Sequence, residues 1–246
     1  MNNDGWVDLI CVNNGAGYGN TLTVFTNNQS GGFALASTPG GIGNGPNAIT
    51  AADVNNDGWV DLITANYGNG SGNTLSVLTN NRSGGFSLAA SPVVGHGVHA
   101  VVAADVNNDG WVDLISANIA DNTLSVLTND HSGGFVTAGT NGVGGSPIWV
   151  AAADVNRDGG VDLISANGGN NTLSVLTNSS SVVTSTITGV VISWPPPSTG
   201  FVLQQNGNLA STNWTTNSAA ITTSNGTNNV SITPLTGNQF FRLAHP

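Results

Sequence analysis

The residues with the most chemistry in them are eleven aspartates and their asparagine neighbours, spaced as oxygen donors around a tight loop. Residues 53–61 read D-V-N-N-D-G-W-V-D, with Asp53, Asn55, Asp57 and Asp61 at positions 1, 3, 5 and 9 and Gly58 at position 6. Alternate residues of a tight turn point to one side, and a glycine at position 6 permits the reversal that brings a backbone carbonyl, here that of Trp59, into the same ring. Three carboxylates, an amide oxygen and a carbonyl give a five-oxygen shell that water completes. Asp105, Asn107, Asp109, the Trp111 carbonyl and Asp113 repeat the set, as do Asp154, Asn156, Asp158, the Gly160 carbonyl and Asp162. A truncated copy opens the chain: Met1 stands at position 2, and Asn2, Asp4, Trp6 and Asp8 follow in register.

An all-oxygen shell built from flexible loop groups suits Ca2+ better than Mg2+, and it lacks the His and Cys that zinc or copper would take. The expectation is three complete Ca2+ sites and a fourth, partial one in the first copy. Helix-flanked calcium loops end on a glutamate at position 12, where this chain has Thr64, Ser116 and Ser165, so that class is excluded. The competing reading is an Asx-rich turn that bonds only its own backbone. Repetition at fixed spacing favours the ion.

Composition points the same way. All 13 carboxylates are Asp, and only Asp121 and Asp130 lie outside the loops. The formal charge of -10 would fall to about -4 with three divalent ions bound. There is no lysine, and the arginines are Arg82, Arg157 and Arg242, too few for binding nucleic acid through its phosphates. Cys11, the single cysteine, sits in an apolar strand and is expected to be a buried small residue. No apolar run is long enough for a spanning helix, and no secretory signal opens the chain. The Ser, Thr, Asn and Gly richness nevertheless suggests an extracellular or cell-surface setting. No Ser/His/Asp order, paired Glu or phosphate-cradling loop points to catalysis, so no enzyme activity is expected. His96 and His99 read as polar residues where a strand begins, in preference to a metal or catalytic pair. Trp6, Trp59 and Trp111 share position 7, where packing between repeats is favoured over a sugar platform.

The elements that must hold these loops follow from self-comparison. The central aspartates Asp4, Asp57, Asp109 and Asp158 are 53, 52 and 49 residues apart. Each loop leads into D-L-I-x-x-N, then T-L-S-V-L-T-N or, in the first copy, T-L-T-V-F-T-N; the first three copies continue with S-G-G-F. An apolar run such as Val98 to Ala104, then Leu114 to Ala117, Thr123 to Thr128 and Phe135 to Ala138 make four short strands per repeat, with Asn and Gly in the turns. The fold class is therefore all-β: a β-propeller-like array of four-stranded blades, about four repeats (about 1–45, 46–97, 98–146 and 147–181), plus a small C-terminal β domain. Residues 182–246 read as a β-sandwich-like module, with Trp194-Pro195-Pro196-Pro197 as a stiff linker or tight edge.

The string A-A-D-V-N-N-D-G-W-V-D-L-I-T-A-N and its recurrences resemble the FG-GAP or VCBS-type repeats of integrin-like β-propellers over about residues 1 to 180. The resemblance implies loops that bind calcium between strands of a blade, in an extracellular propeller used for adhesion, display or scaffolding. Its expected partners are other copies of itself or extracellular protein or glycan ligands. The family's propellers have about seven blades. Four repeats therefore imply a four-bladed ring, a fragment, or filaments and oligomers in which one chain's edge strand completes its neighbour's blade. The alternative is a glycan-binding module or a polysaccharide-active, lyase-like propeller. The tail more loosely resembles C-terminal β modules of secreted bacterial proteins.

Overall fold

The structure is a computed structural model that describes residues 1–178, 190–194, 202–207, 212–224, 227–232 and 240–244. The chain divides into two compact units, Met1–Val182 and Val183–Pro246. In the first unit the strands follow one another as antiparallel meanders. Blade one holds β1 (Leu9–Asn13), β2 (Thr21–Asn27) and β3 (Phe33–Ser37). Blade two holds β4 (Pro46–Ala52), β5 (Asp61–Asn66), β6 (Thr74–Asn80) and β7 (Phe86–Ala90). Blade three holds β8 (Val98–Ala104), β9 (Asp113–Asn118), β10 (Thr123–Asn129) and β11 (Phe135–Gly142), and blade four β12 (Pro147–Ala153), β13 (Asp162–Asn167) and β14 (Thr172–Leu176). The array is thus propeller-like. Helical structure among the described residues of this unit is confined to two 3-10 turns, Gly15–Gly17 and Gly68–Gly70.

The D-L-I-x-A-N strands β5 and β9 lie mid-sheet with a blade packed on each face, and every residue of both is buried. Alternation then divides the side chains between two neighbours. Leu62 packs back onto Leu22, Val24 and Ile42 of blade one, while Ile63, Ala65, Leu75 and Val77 meet Val98, Val101, Leu114 and Leu127 of blade three. Ala100, Ile115, Ala117 and Leu124 in turn meet Val150 and Leu163 of blade four. Because both faces are covered, these strands read as continuous apolar runs.

A polar seam runs through the same blades. Asn66 donates to Thr74 Oγ1 and Ser76 Oγ (3.1 and 2.9 Å) and accepts from Thr64 Oγ1 at 2.9 Å. Asn118 and Asn167 repeat the pattern with Ser116, Thr123 and Ser125 and with Ser165, Thr172 and Ser174. Position 12 of the three complete loops, Thr64, Ser116 and Ser165, therefore belongs to the blade interior and faces hydroxyl and amide partners. Gly95 lies so close to Asn118 that a Cβ there would sit 2.7 Å from Nδ2. That approach explains a glycine just ahead of the strand.

Cys11 departs from expectation. It occupies the position of the buried Thr64 and Ser116, yet it is exposed, because among the described residues no blade packs against the backward face of β1.

The second unit has β15 (Val190–Trp194), β16 (Val202–Asn206), β17 (Thr215–Thr216), β18 (Ile221–Ser224), β19 (Thr227–Ile232) and β20 (Phe240–Ala244). They form two three-stranded sheets, β15-β19-β18 and β17-β16-β20, around Trp194, Leu203 and Val230. Trp194 is thus a core residue of this unit, and β15 pairs with β19 upstream of the proline run. Pro195, Pro196 and Pro197 lie outside the described residues. Among the described residues no helix is long and apolar enough to cross a membrane.

Candidate metal centre

Each of the three complete aspartate loops joins the first strand of its blade to the second, and two left-handed residues wind it. Gly58, Gly110 and Gly159 at position 6 have φ of 84 to 85°. Position 4 is left-handed as well, at Asn3, Asn56, Asn108 and Arg157 with φ between 54 and 64°. Asparagine tolerates that region better than other side chains, so the N-N-D string carries a conformational signal that reading for ligands alone passes over. Arg157 is the exception to the residue type.

The side chains at positions 1, 3 and 5 hold this winding through backbone N–H groups. Asp53 accepts from Asp57 N and Gly58 N at 3.1 and 2.7 Å, and Asn55 Oδ1 from Asp57 N at 3.1 Å. Asp57 Oδ1 accepts from Trp59 N at 2.9 Å. Asp105, Asn107 and Asp109 repeat these bonds, and Asp154, Asn156 and Asp158 do so with Arg157 N as the first donor. In the first copy Asp4 accepts from Trp6 N and from Asn2 Nδ2, both at 2.9 Å.

Position 9 is different. Asp61 is fully buried; its Oδ2 accepts from Val54 N at 3.1 Å and its Oδ1 from Asn80 N at 2.8 Å, pinning the start of the loop to the end of β6. Asp113 and Asp162 do the same with Val106 and Asn129 and with Val155 and Asn178. In Asp8 the Met1 amine takes the place of the position-2 amide. Residues read from spacing as ligands are therefore also structural pins.

Three asparagines that reading for ligands passes over complete the site. Asn129 Nδ2 donates to Val54 O of the preceding blade's loop at 2.8 Å and to Val112 O at 3.1 Å. Asn80 does so to Met1 O and Val60 O, and Asn178 to Val106 O. Their signal was the invariant last letter of T-L-S-V-L-T-N. A second link runs from loop to loop, since Asn3, Asn56 and Asn108 each donate to the position-6 carbonyl of the next loop, Gly58, Gly110 and Gly159, at 3.3 to 3.4 Å.

Electrostatics divides the carboxylates. Burial pushes Asp61 above the ordinary carboxylate value of 3.8, opposed by the Asn80 and Val54 amides and reinforced by the charges of Asp57 and Asp53. Asp113 is raised in the same way, with Asp109 and Asp105 adding to burial. Asp57 is lowered, first by the Trp59 amide and then by Arg82. Asp109 is lowered by His131 and then by the Trp111 amide. The loops of blades two and three thus hold three aspartates close enough to repel.

Among the described residues no three His, Cys, Asp or Glu side chains converge in metal-ligating geometry. The carboxylates are turned instead onto backbone amides, as in the Asx-turn reading. The donor set nevertheless fits a hard cation. It is wholly oxygen, each bonded carboxylate oxygen has a second lone pair, and the mutual repulsion at Asp61 and Asp113 is what a divalent ion would relieve.

The other candidates have ordinary partners. His96 Nδ1 lies 3.2 Å from Asp121 Oδ2, while His99 Nδ1 lies 2.8 Å from Ile148 O and its ring meets Tyr67 edge-on, so the two histidines do not act as a pair. The position-7 tryptophans are not part of the cores between blades. Trp6 is 53% exposed, and Trp111 stacks on His131 of its own blade, centroids 4.9 Å apart.

These features define an array of blades built on a repeated acidic loop. A sequence profile described as FG-GAP-like repeat matches residues 1–64, 53–116 and 105–165, each match running from one aspartate loop into the D-L-I strand that follows the next, and the chain belongs to that family. No curated protein sequence matches it significantly. Among solved structures, it is similar to BBS1N, determined in complex with ARL6DN and soaked with lead, at 15% identity and TM-score 0.49, over 71% of this chain and 53% of that one. It is also similar to a protein from Lactobacillus plantarum at 16% identity and TM-score 0.41, over 90% and 68% of the two chains. The chain spans about half the length of BBS1N.

Proposed function

We propose that the chain is a calcium-stabilised, non-enzymatic structural and adhesive module of an extracellular or cell-surface protein. The observation that carries this is the repeated loop with its crowded carboxylates: Asp53, Asp57 and Asp61, and their equivalents in blades three and four, lie in one short turn, and Asp61 and Asp113 are raised by burial and, to a smaller degree, by the neighbouring aspartates. Asp53, Asn55, Asp57 and Asp61, with the Trp59 carbonyl, would hold the ion in blade two. Asp105, Asn107, Asp109 and Asp113 with Trp111, and Asp154, Asn156, Asp158 and Asp162 with Gly160, would do so in blades three and four. A bound Ca2+ supplies charge neutralisation and a cross-link between loop and strand end. Every loop carboxylate already holds backbone, which supports a structural role over a catalytic one. Isothermal titration of the metal-free chain with CaCl2 is expected to show about three ions bound per chain. No binding at millimolar calcium overturns the reading.

A second reading, self-association, rests on the two end blades. Leu9 of β1 is 47% exposed where its equivalents Leu62 and Leu114 are 0%. Leu173 of β14 is 70% exposed where Leu75 and Leu124 are 0%. These are the two complementary faces that meet at each internal blade contact, so a second copy stacking head to tail would bury both. Such an arrangement is open-ended. Light scattering is expected to show mass rising with concentration in millimolar calcium, and Leu173→Asp to suppress the rise. A monomer at every concentration removes this reading.

A further inference from the structure

The turns that follow β2, β6 and β10 bend back over the aspartate loop of the same blade. Asn27, Asn80 and Asn129 accept through Oδ1 from the N–H two residues on, at 2.8 to 3.0 Å, and that residue is left-handed in all three turns: Gln29 at φ 62°, Arg82 at 62° and His131 at 61°. The region is unfavourable for these side chains, so the turn holds them there by its own hydrogen bonds. Each then reaches the same atom, Oδ2 of the position-5 aspartate. Gln29 Nε2 lies 3.4 Å from Asp4 Oδ2, Arg82 Nη2 3.1 Å from Asp57 Oδ2, and His131 Nε2 2.9 Å from Asp109 Oδ2. Position-5 Oδ1 is committed to the position-7 amide in all three loops. Oδ2 takes side-chain donors instead: the turn residue in all three loops, and the position-3 amide as well in the first and third, where Asn2 Nδ2 lies 2.9 Å from Asp4 Oδ2 and Asn107 Nδ2 2.8 Å from Asp109 Oδ2.

We propose that this turn residue is a gate that grades the loops, so that blades of nearly identical ligand sequence bind calcium with different affinity and blade two, gated by Arg82, binds most weakly. The inference rests on the calcium reading above and adds to it a determinant outside the ligand set. An ion entering the Asp57 loop must displace two guanidinium contacts, from Nη2 and from Nε at 3.4 Å, and then stands beside a permanent positive charge. In blade three the displaced groups are the neutral Asn107 amide and one imidazole nitrogen, whose ring stacks on Trp111, and no permanent positive charge stands beside Asp109 Oδ2. In the first loop the gate is a neutral amide.

Arg82→Gln is the direct test, since Gln29 holds the same left-handed turn position in blade one and the variant is expected to fold. Titrated with CaCl2 at pH 7.5, the full chain is expected to bind its weakest ion roughly three- to tenfold more tightly after this change, with the number of ions unaltered. The reciprocal variant His131→Arg is expected to weaken one ion by a similar factor. Tryptophan-sensitised terbium luminescence, read with and without Trp59→Phe, assigns the changed ion to blade two. If neither chain binds calcium, the calcium reading fails. If both bind it and the Arg82→Gln isotherm superimposes on the parent's, the gate is refuted while the reading stands.

Discussion

Adding millimolar calcium to the metal-free chain is expected to raise its melting temperature by about 15 to 30 °C, and EDTA to reverse the gain. A ligand present at a hundred times its dissociation constant stabilises by about 2.7 kcal/mol per site, so three sites give about 8 kcal/mol. For an array of this length each kcal/mol is worth about 2 to 4 °C. The effect has a direction in pH. Asp61 and Asp113 lie above 3.8 in the folded chain, because of burial and neighbouring aspartates. Without metal, their ionisation therefore costs stability as pH rises from 3.8 through the raised value. Asp57 and Asp109 lie below 3.8, so their contribution is present above it and is lost as pH falls through the lowered value. Calcium binds the ionised forms of all four. Its increment should be small near pH 4 and grow toward neutrality, while the metal-free chain gains little over the same range. Scanning calorimetry at pH 4, 5.5 and 7 with and without calcium measures this, and an increment independent of pH contradicts it.

The fold was legible because the chain states it nearly four times. The strand sequence D-L-I-x-A-N, apolar on both faces, reports a blade between two others, and the Asn- and Gly-rich turns mark where it reverses. Residues whose environment is set by the neighbouring repeat were less legible. Cys11 reads as a core residue because its strand is apolar, but the face it occupies is covered only in later blades. Trp6, Trp59 and Trp111 recur with the fold, which suggests packing between blades; recurrence fixed their place in the loop and left their neighbours undetermined. The loop could be read as ion ligands or as an Asx turn, and its aspartates and asparagines adopt the Asx bonds while retaining oxygen lone pairs for an ion. Asn80, Asn129 and Asn178 were in view in every repeat. Their partners lie 72 to 79 residues away in the chain, beyond the reach of a motif.

Asn129→Ala should be the most damaging single polar substitution of this kind, because that side chain satisfies two blades at once. Its amide is 5% exposed and supplies the hydrogen bonds to Val54 O and Val112 O, while its Oδ1 receives His131 N at 3.0 Å. Alanine leaves two carbonyls without this donor where water has little access, and removes the acceptor that shapes the following turn. Each buried group left unsatisfied costs about 1 to 3 kcal/mol, so a loss of about 3 kcal/mol is expected, or about 6 to 12 °C in melting temperature. The equivalent change in blade one calibrates this: Asn27 Nδ2 donates to Val7 O at 3.3 Å from a more open setting, and among the described residues it makes no bond to another blade's loop. Asn27→Ala should therefore cost under about 1 kcal/mol. Both variants are to be unfolded in urea with EDTA present, which separates the tie between blades from any metal. Equal losses in the two would show that the bond from one blade to the loop of the one before contributes nothing, and that the array is held by its apolar faces alone.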